Sequence, residues 1–204
     1  SVSQQSQQYA TVIMAAANSI TQQSSSYPAD GVNSLADQLK IVARLIAGGL
    51  KTKVYMVNLS GFDTHSAQVD SSNVLTGTHA DLLDKVSVAI KAFMDDLTFL
   101  NVDDRVTGMT FSEFGRRIKS NSSEGTDHGA AAPMFVFGKK VQGGIIGTNP
   151  SIPSVISSSD NIPMQYDFRS VYASLLQDWF CVPPGDLNSI LLNNYQTLPI
   201  VQQS

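Results

Sequence analysis

Two amphipathic helical stretches constrain this fold most, because each is followed by a run of residues typical of a buried strand. In residues 35–46, apolar side chains recur at spacings of three and four, which predicts one apolar helix face. Asn33 or Ser34 suits the N-cap position of this helix. Residues 78–99 repeat the pattern, with Thr78 as the candidate cap. Both helices therefore need a layer on which to bury their apolar faces.

Three short β-rich runs supply that layer. The first is KVYMVNL at residues 53–59, followed by RVTGMTF at 105–111 and MFVFG at 134–138. A last helix is expected in DFRSVYASLLQDWF, ended by the prolines at 183 and 184. Helices that alternate with strands predict an α/β layered fold with mainly parallel strands.

Composition excludes several classes of protein. The net charge is −4 and no basic cluster is present, so we expect no nucleic-acid partner. The longest apolar run is too short for a membrane span of about 20 residues. Cys181 is the only cysteine, which rules out an internal disulfide and a cysteine-based zinc site.

The chain divides into two predicted parts. Residues 1–30 form an N-terminal helix and a Ser/Gln-rich segment, and residues 31–204 form the α/β domain. Residues 140–165 are a long Gly-, Ser- and Pro-rich loop, and such loops usually serve a function in compact domains. The chain begins without Met, which predicts a processed product or a fragment.

Polar residues of metal-ligand type lie at the ends of the predicted strands and helices. In open α/β sheets, ligands bind beyond the carboxyl ends of the strands. All three histidines occur at such places, and each has an Asp close in sequence. The candidates are Asp63 and His65 after the first strand, His79 at a helix start, Glu113 and Arg116 after the second strand, and Asp127 and His128 in the segment GTDHG.

Carboxylates and imidazoles are the ligands that zinc and manganese accept. We therefore expect Asp63, His79 and His128 to share a divalent ion, with Glu113 as a further ligand or as an outer acceptor. Such an ion polarises an ester oxygen or acidifies a bound water. Arg116 suits an anionic substrate. The alternative for each motif is structural, since Asp-x-His pairs and glycine-bounded Asp-His pairs often form turns and caps.

Several segments resemble a bacterial family of unknown function, DUF1501, in its C-terminal half. The segments are LADQLKIVARLIAGGL, VYMVNLSGFDTH, THADLLDKVSVAIKAFMDDL, RVTGMTFSEFGRRIKSNSSEGTDHGAAAPMFVFG and DFRSVYASLLQDWF, and they span roughly residues 27–180. The resemblance implies a member of the alkaline phosphatase and sulfatase superfamily, with part of a three-layer α/β/α sandwich. It also implies a periplasmic or secreted location.

The resemblance assigns roles residue by residue. Asp63 is similar to the superfamily's first acidic ligand, and His65 or His79 to its first imidazole. Glu113 falls on the acid of an Asp-His pair. His128 falls on a late histidine, which phosphopentomutase-like members carry in a GTDH segment. Asp127 is then the neighbour that orients His128.

Two departures limit this likeness. Phe114 stands where the superfamily has the second residue of its Asp-His pair, and a phenyl ring binds no metal. The family's N-terminal half, with the nucleophile, has no counterpart in this sequence, so that half or another chain is the expected partner. Three functions stay open: a metal-dependent hydrolase of phosphate or sulfate esters, a non-catalytic protein that binds an anionic or sugar ligand, and an exported structural protein.

Overall fold

The computed structural model describes residues 2–202, which form two compact units that divide between Val106 and Thr107. The first unit is helical. Its elements are α1 (Val2–Ser19), α2 (Ser34–Ala47), α3 (Thr78–Phe99) and a 3₁₀ turn (Asp103–Arg105). All three helices occur where the sequence predicts them, although α1 extends beyond its apolar centre.

The start and end of α2 confirm the predicted capping. Asn33 Oδ1 accepts hydrogen bonds from the backbone N–H groups of Leu35 and Ala36, at 3.2 and 3.3 Å. Asn33, not Ser34, is therefore the N-cap. The helix ends at a glycine pair, Gly48 and Gly49, and Gly49 has a φ of 83° that glycine adopts without steric cost.

The start of α3 corrects the predicted cap. The helix begins at Thr78, and the cap position belongs to Gly77, which makes no side-chain cap hydrogen bond. Gly77 has a φ of 112°, and a Cβ there would lie 2.7 Å from the backbone nitrogen of Asp70. The close approach of the preceding loop therefore requires glycine where a capping side chain would otherwise stand.

The core of the first unit lies where α2 packs against α3. Ala43, Ala89 and Ala92 are at most 1% exposed, and their small side chains let the two helices approach closely. Phe93 and Leu97 fill the space beside them, at 3% and 0% exposure. Burial of such a side chain contributes about 1.5–3 kcal/mol.

The predicted strand at residues 53–59 does not join a sheet. The segment contains no helix, turn or bend, and from Val54 onward its side chains alternate between exposed and half-buried. That alternation is typical of an extended strand. Among the described residues, however, no strand pairs with it.

The second unit contains short strands and two helices. Its elements are β1 (Gly108–Met109), β2 (Gly115–Ser120), β3 (Thr126–Gly129), β4 (Val136–Phe137), α4 (Phe168–Ser174), a π-helical turn (Leu175–Trp179) and α5 (Pro184–Leu191). The sequence predicts α4 and its π-helical continuation as one helix, and it does not predict α5.

The predicted mainly parallel sheet and three-layer α/β/α sandwich are wrong for the described residues. β1 pairs antiparallel with β4, and β2 pairs antiparallel with β3, in two separate two-stranded sheets. Parallel strands need a crossover connection, usually a helix. The chain between β1 and β4 instead contains the β2–β3 hairpin, which brings it back antiparallel.

A C-terminal segment completes the second unit. Leu198 and Ile200 are buried with Val171 of α4, and together they form its hydrophobic core. Ser174 Oγ accepts a hydrogen bond from the Leu198 N–H at 2.7 Å, which fixes the segment to the helix. Among the described residues, no helix has the length and apolar character needed to cross a membrane.

Candidate metal-binding residues

Asp63 and His65 point to the same side of a short loop in the first unit. Thr64 between them is only 6% exposed and anchors the loop inward. Its backbone N–H donates to the Phe62 carbonyl at 2.9 Å, and its hydroxyl donates to Gln68 Oε1 at 3.2 Å. Asp63 and His65, on either side of the buried threonine, are both exposed.

The two outward side chains are in direct contact. His65 Nε2 lies 3.2 Å from Asp63 Oδ1, and the side chains are 50% and 60% exposed. Two ligands on a tetrahedral ion, each about 2.0–2.2 Å from it, lie roughly 3.3–3.5 Å apart. The observed separation is therefore close to that of two ligands on one ion. It also suits a simple hydrogen bond, so addition of metal is the deciding experiment.

His79 lies in the first turn of α3. Its backbone N–H donates to the Gln68 carbonyl at 3.0 Å, which fastens the loop after His65 to the helix. Its imidazole is half-buried and packs edge-on against the Phe62 ring, with the ring centroids 6.1 Å apart. These contacts give His79 a packing role, which the sequence does not predict.

GTDHG lies mostly in a strand, not in the turn that glycine-bounded Asp-His pairs often form. Its last four residues form β3, which pairs with β2 so that His128 lies opposite Arg116 and Gly129 opposite Gly115. A Cβ on Gly129 would lie 2.4 Å from the carbonyl carbon of Arg116, so the pairing requires glycine there. The glycines of the motif thus serve close approach of the two strands.

The imidazole of His128 stacks on a phenyl ring. The ring centroids of His128 and Phe114 are 3.9 Å apart and the planes differ by 5°. The guanidinium carbon of Arg116 lies 5.0 Å from the centroid of the same phenyl ring. Phe114, which the sequence marks as a missing ligand, therefore fixes the plane of the neighbouring imidazole.

The other candidates in the second unit have defined places. The Arg116 guanidinium donates to the Thr126 carbonyl across the hairpin, which gives it a structural role besides the predicted anion binding. Asp127 Oδ1 accepts from the side-chain amide of Asn121 at 3.3 Å, within the turn that joins the two strands. Glu113 is exposed ahead of β2.

Asp63, His65 and His128 are all exposed, and each offers a ligand atom that divalent ions accept. The first two belong to the first unit and His128 to the second. The donors are oxygen and nitrogen, a set that suits zinc and manganese.

One buried polar cluster lies outside the residues that the sequence singles out. Asp96 is fully buried in α3 and accepts hydrogen bonds at 2.7 Å from the Gln23 side chain and from the Ser24 N–H. Burial, followed by the charge of Asp96, raises the pKa of Tyr27 beside it. An aspartate among apolar helix residues is the only available signal, and the cluster fastens the segment after α1 to the core.

Comparison with known proteins identifies the family. The model of DUF1501, described as a protein of unknown function, matches residues 1–183. The chain belongs to this family. No curated protein and no solved structure matches it.

Proposed function

We propose that this DUF1501 member binds a divalent ion, zinc or manganese, through Asp63 and His65, and that the ion serves hydrolysis of phosphate or sulfate esters. The observation that carries the proposal is the 3.2 Å contact between a carboxylate oxygen and an imidazole nitrogen of two exposed side chains, on either side of a buried threonine. The resemblance to alkaline phosphatases and sulfatases supplies the class of reaction.

The bound ion would supply Lewis acidity, polarising an ester oxygen or lowering the pKa of a coordinated water. Asp63 and His65 provide two ligands and leave other positions for water, substrate and further side chains. The sequence motif adds His128 to the proposed ligands, and the resemblance adds His79 and Glu113. No serine or threonine of this chain is assigned as a nucleophile.

Calorimetric titration of chelator-treated protein with Zn²⁺ and with Mn²⁺ tests the metal. We expect saturable binding that weakens as the pH falls, because imidazole must be neutral to bind metal. Asp63→Asn and His65→Ala should each weaken metal binding by at least about tenfold. Removing a side chain that only supports a metal ligand already costs about that much, and removing a ligand itself should cost more. Asp84→Asn, an exposed carboxylate on α3, is the matched control and should bind as the wild type does.

His128→Ala asks whether the second unit contributes a ligand. Lost affinity assigns His128 to the ion, and unchanged affinity restricts the site to the first unit. Absence of any binding by the wild-type chain at neutral pH contradicts the metal proposal as a whole.

A second candidate function is binding of an anionic or sugar ligand without catalysis. Phe114 favours it, because a phenyl ring stands where the superfamily has a metal ligand, and that ring binds no metal. Turnover of nitrophenyl phosphate and sulfate by the metal-loaded protein separates the two. Hydrolysis that chelation abolishes supports the enzyme, and metal binding without turnover supports the binding protein.

The family resemblance also supports two proposals beyond the site. The protein is exported to the periplasm or secreted, and its partner is the family's N-terminal half or another chain. Fractionation of the source cells tests the location, since recovery in the cytoplasm contradicts it. Co-purification with an added N-terminal half tests the partner.

A further inference from the structure

A cavity of about 330 Å³ lies in the first unit, between the segment that follows α1 and one face of α2. Its walls contain two cationic side chains and no carboxylate. The lining residues are Ile20, Thr21, Gln23, Ser24, Lys40 and Arg44. Small-molecule sites in proteins span about 300–1,000 Å³, so a cavity of this size suits a small ligand.

Arg44 is a half-buried cation that the chain leaves largely unsatisfied. Its Nη2 donates to the Ala17 carbonyl at 2.9 Å, whereas its buried Nε has no hydrogen-bond partner. Among the described residues, no carboxylate forms an ion pair with it. A guanidinium carries five N–H donors, and unmade hydrogen bonds of a part-buried charged group are costly. A bound anion would offset this cost.

Lys40 supplies the second positive charge. It lies one helical turn before Arg44, so both cations project from the same face of α2. Its Nζ pairs with Asp30 at 3.0 Å, but the Asp30 side chain is 84% exposed. An exposed ion pair of this kind is weak, so it leaves Lys40 able to bind an anion in the cavity. The hydroxyl of Thr21 adds a neutral donor to the same wall.

The buried acid Asp96 contacts the cavity wall but does not line the cavity. Both of its oxygens accept hydrogen bonds at 2.7 Å, one from the Gln23 side chain and one from the Ser24 N–H. Gln23 and Ser24 are themselves lining residues, so they separate this carboxylate from the cavity. The charged groups that a ligand meets are therefore cationic.

We propose that this cavity binds a small oxyanion, a phosphate or sulfate group, through Arg44 and Lys40. The planar fork of a guanidinium matches two oxygens of such a group, and the ammonium adds a point charge. Two cations match the charge of phosphate or sulfate better than that of a single carboxylate. The site shares no residue with the proposed metal ligands, so it does not depend on metal binding at Asp63 and His65.

NMR titration of the full ¹⁵N-labelled chain tests this site, with sodium phosphate, sodium sulfate and sodium acetate as probes at constant ionic strength. We expect the Nε–H signal of Arg44 to shift saturably with phosphate and sulfate, and much less with acetate. Loss of the signal in Arg44→Lys assigns it. Because the readout belongs to Arg44 itself, phosphate bound to an ion at Asp63 and His65 does not produce it.

Lys40→Gln removes one charge and leaves the bond from Arg44 to Ala17 in place. The dissociation constant for phosphate should rise about tenfold or more, because a hydrogen bond between charged groups is lost. Lys91→Gln is the matched control, since Lys91 is also a helix lysine paired with an aspartate, Asp95, but does not line the cavity. It should bind phosphate as the wild type does.

Three results overturn the proposal. The first is an Arg44 signal that shows no saturable shift with phosphate or sulfate. The second is an equal shift with all three salts, which would indicate a general effect of salt. The third is a dissociation constant that Lys40→Gln leaves unchanged.

Discussion

Replacing Asn33 with alanine should destabilise the first unit by about 2 kcal/mol, because one buried side chain makes contacts with two helices. Its oxygen caps α2, and loss of an N-cap costs roughly 0.5–2 kcal/mol. Its nitrogen donates to the Lys85 carbonyl of α3 at 2.8 Å, and such a hydrogen bond contributes about 0.5–1.5 kcal/mol. For a unit of this size, about 2 kcal/mol lowers the Tm by roughly 8–16 °C.

Two further variants divide this loss between its causes. Asn33→Ser keeps a capping oxygen but is too short to reach the Lys85 carbonyl, so its loss of stability should fall between those of the wild type and Asn33→Ala. Ser34→Ala changes the exposed neighbour that the sequence offers as the alternative cap, and it should stay within about 0.5 kcal/mol of the wild type. Urea and thermal unfolding followed by circular dichroism measure all three. Equal losses for Asn33→Ala and Ser34→Ala would refute the assignment of the cap and of the bridge to α3.

Two other predictions concern Tyr27 and the hairpin. The folded-state pKa of Tyr27 lies above its ordinary value of 10.0, so stability is fully present below pH 10.0 and is lost as the pH rises above it. The urea midpoint should therefore fall above pH 10.0, and it should fall less in Tyr27→Phe. The same pH dependence of the midpoint in both proteins would contradict this. Gly129→Ala places a Cβ 2.4 Å from the Arg116 carbonyl carbon, so the amides of the β2–β3 hairpin should lose protection from hydrogen exchange. Retained protection would contradict this, because it would show that the paired strands can shift enough to accept a methyl group.

The helices are predictable because the spacing of their apolar residues indicates which face of each helix is buried. The stripe in α2 and its Asn33 cap depend on residues within two turns of one another, so local sequence is sufficient. The segment 53–59 shows the limit of this reasoning. Its β-branched and aromatic residues predict an extended chain, and the structure confirms alternating exposure, but pairing depends on a distant neighbour that the local pattern does not specify.

The contacts of the candidate site residues also divide into those that follow from the local sequence and those that depend on distant parts of the chain. Asp63 and His65 are two residues apart, and their contact follows from the local chain. The stacking of Phe114 on His128 depends on strand pairing across a hairpin that the local sequence pattern does not predict. Asn121 and Gly125, residues typical of turns, were the available signal for that hairpin, since the Asn121 N–H donates to the Gly125 carbonyl at 2.8 Å.

The C-terminal segment that completes the second unit has a consequence for synthesis on the ribosome. Val201 forms a bridge with Val141, and the Gln142 N–H donates to the Ile200 carbonyl at 2.7 Å. The first unit is complete at Val106, about 95 residues earlier. The α4 helix of the second unit ends at Ser174, about 26 residues before Ile200. At about 5–20 residues per second, the unit therefore waits roughly 1–5 s after α4 is made for its last core residues to be translated. During that interval its apolar α4 face is open to chaperones and proteases while the first unit is already folded.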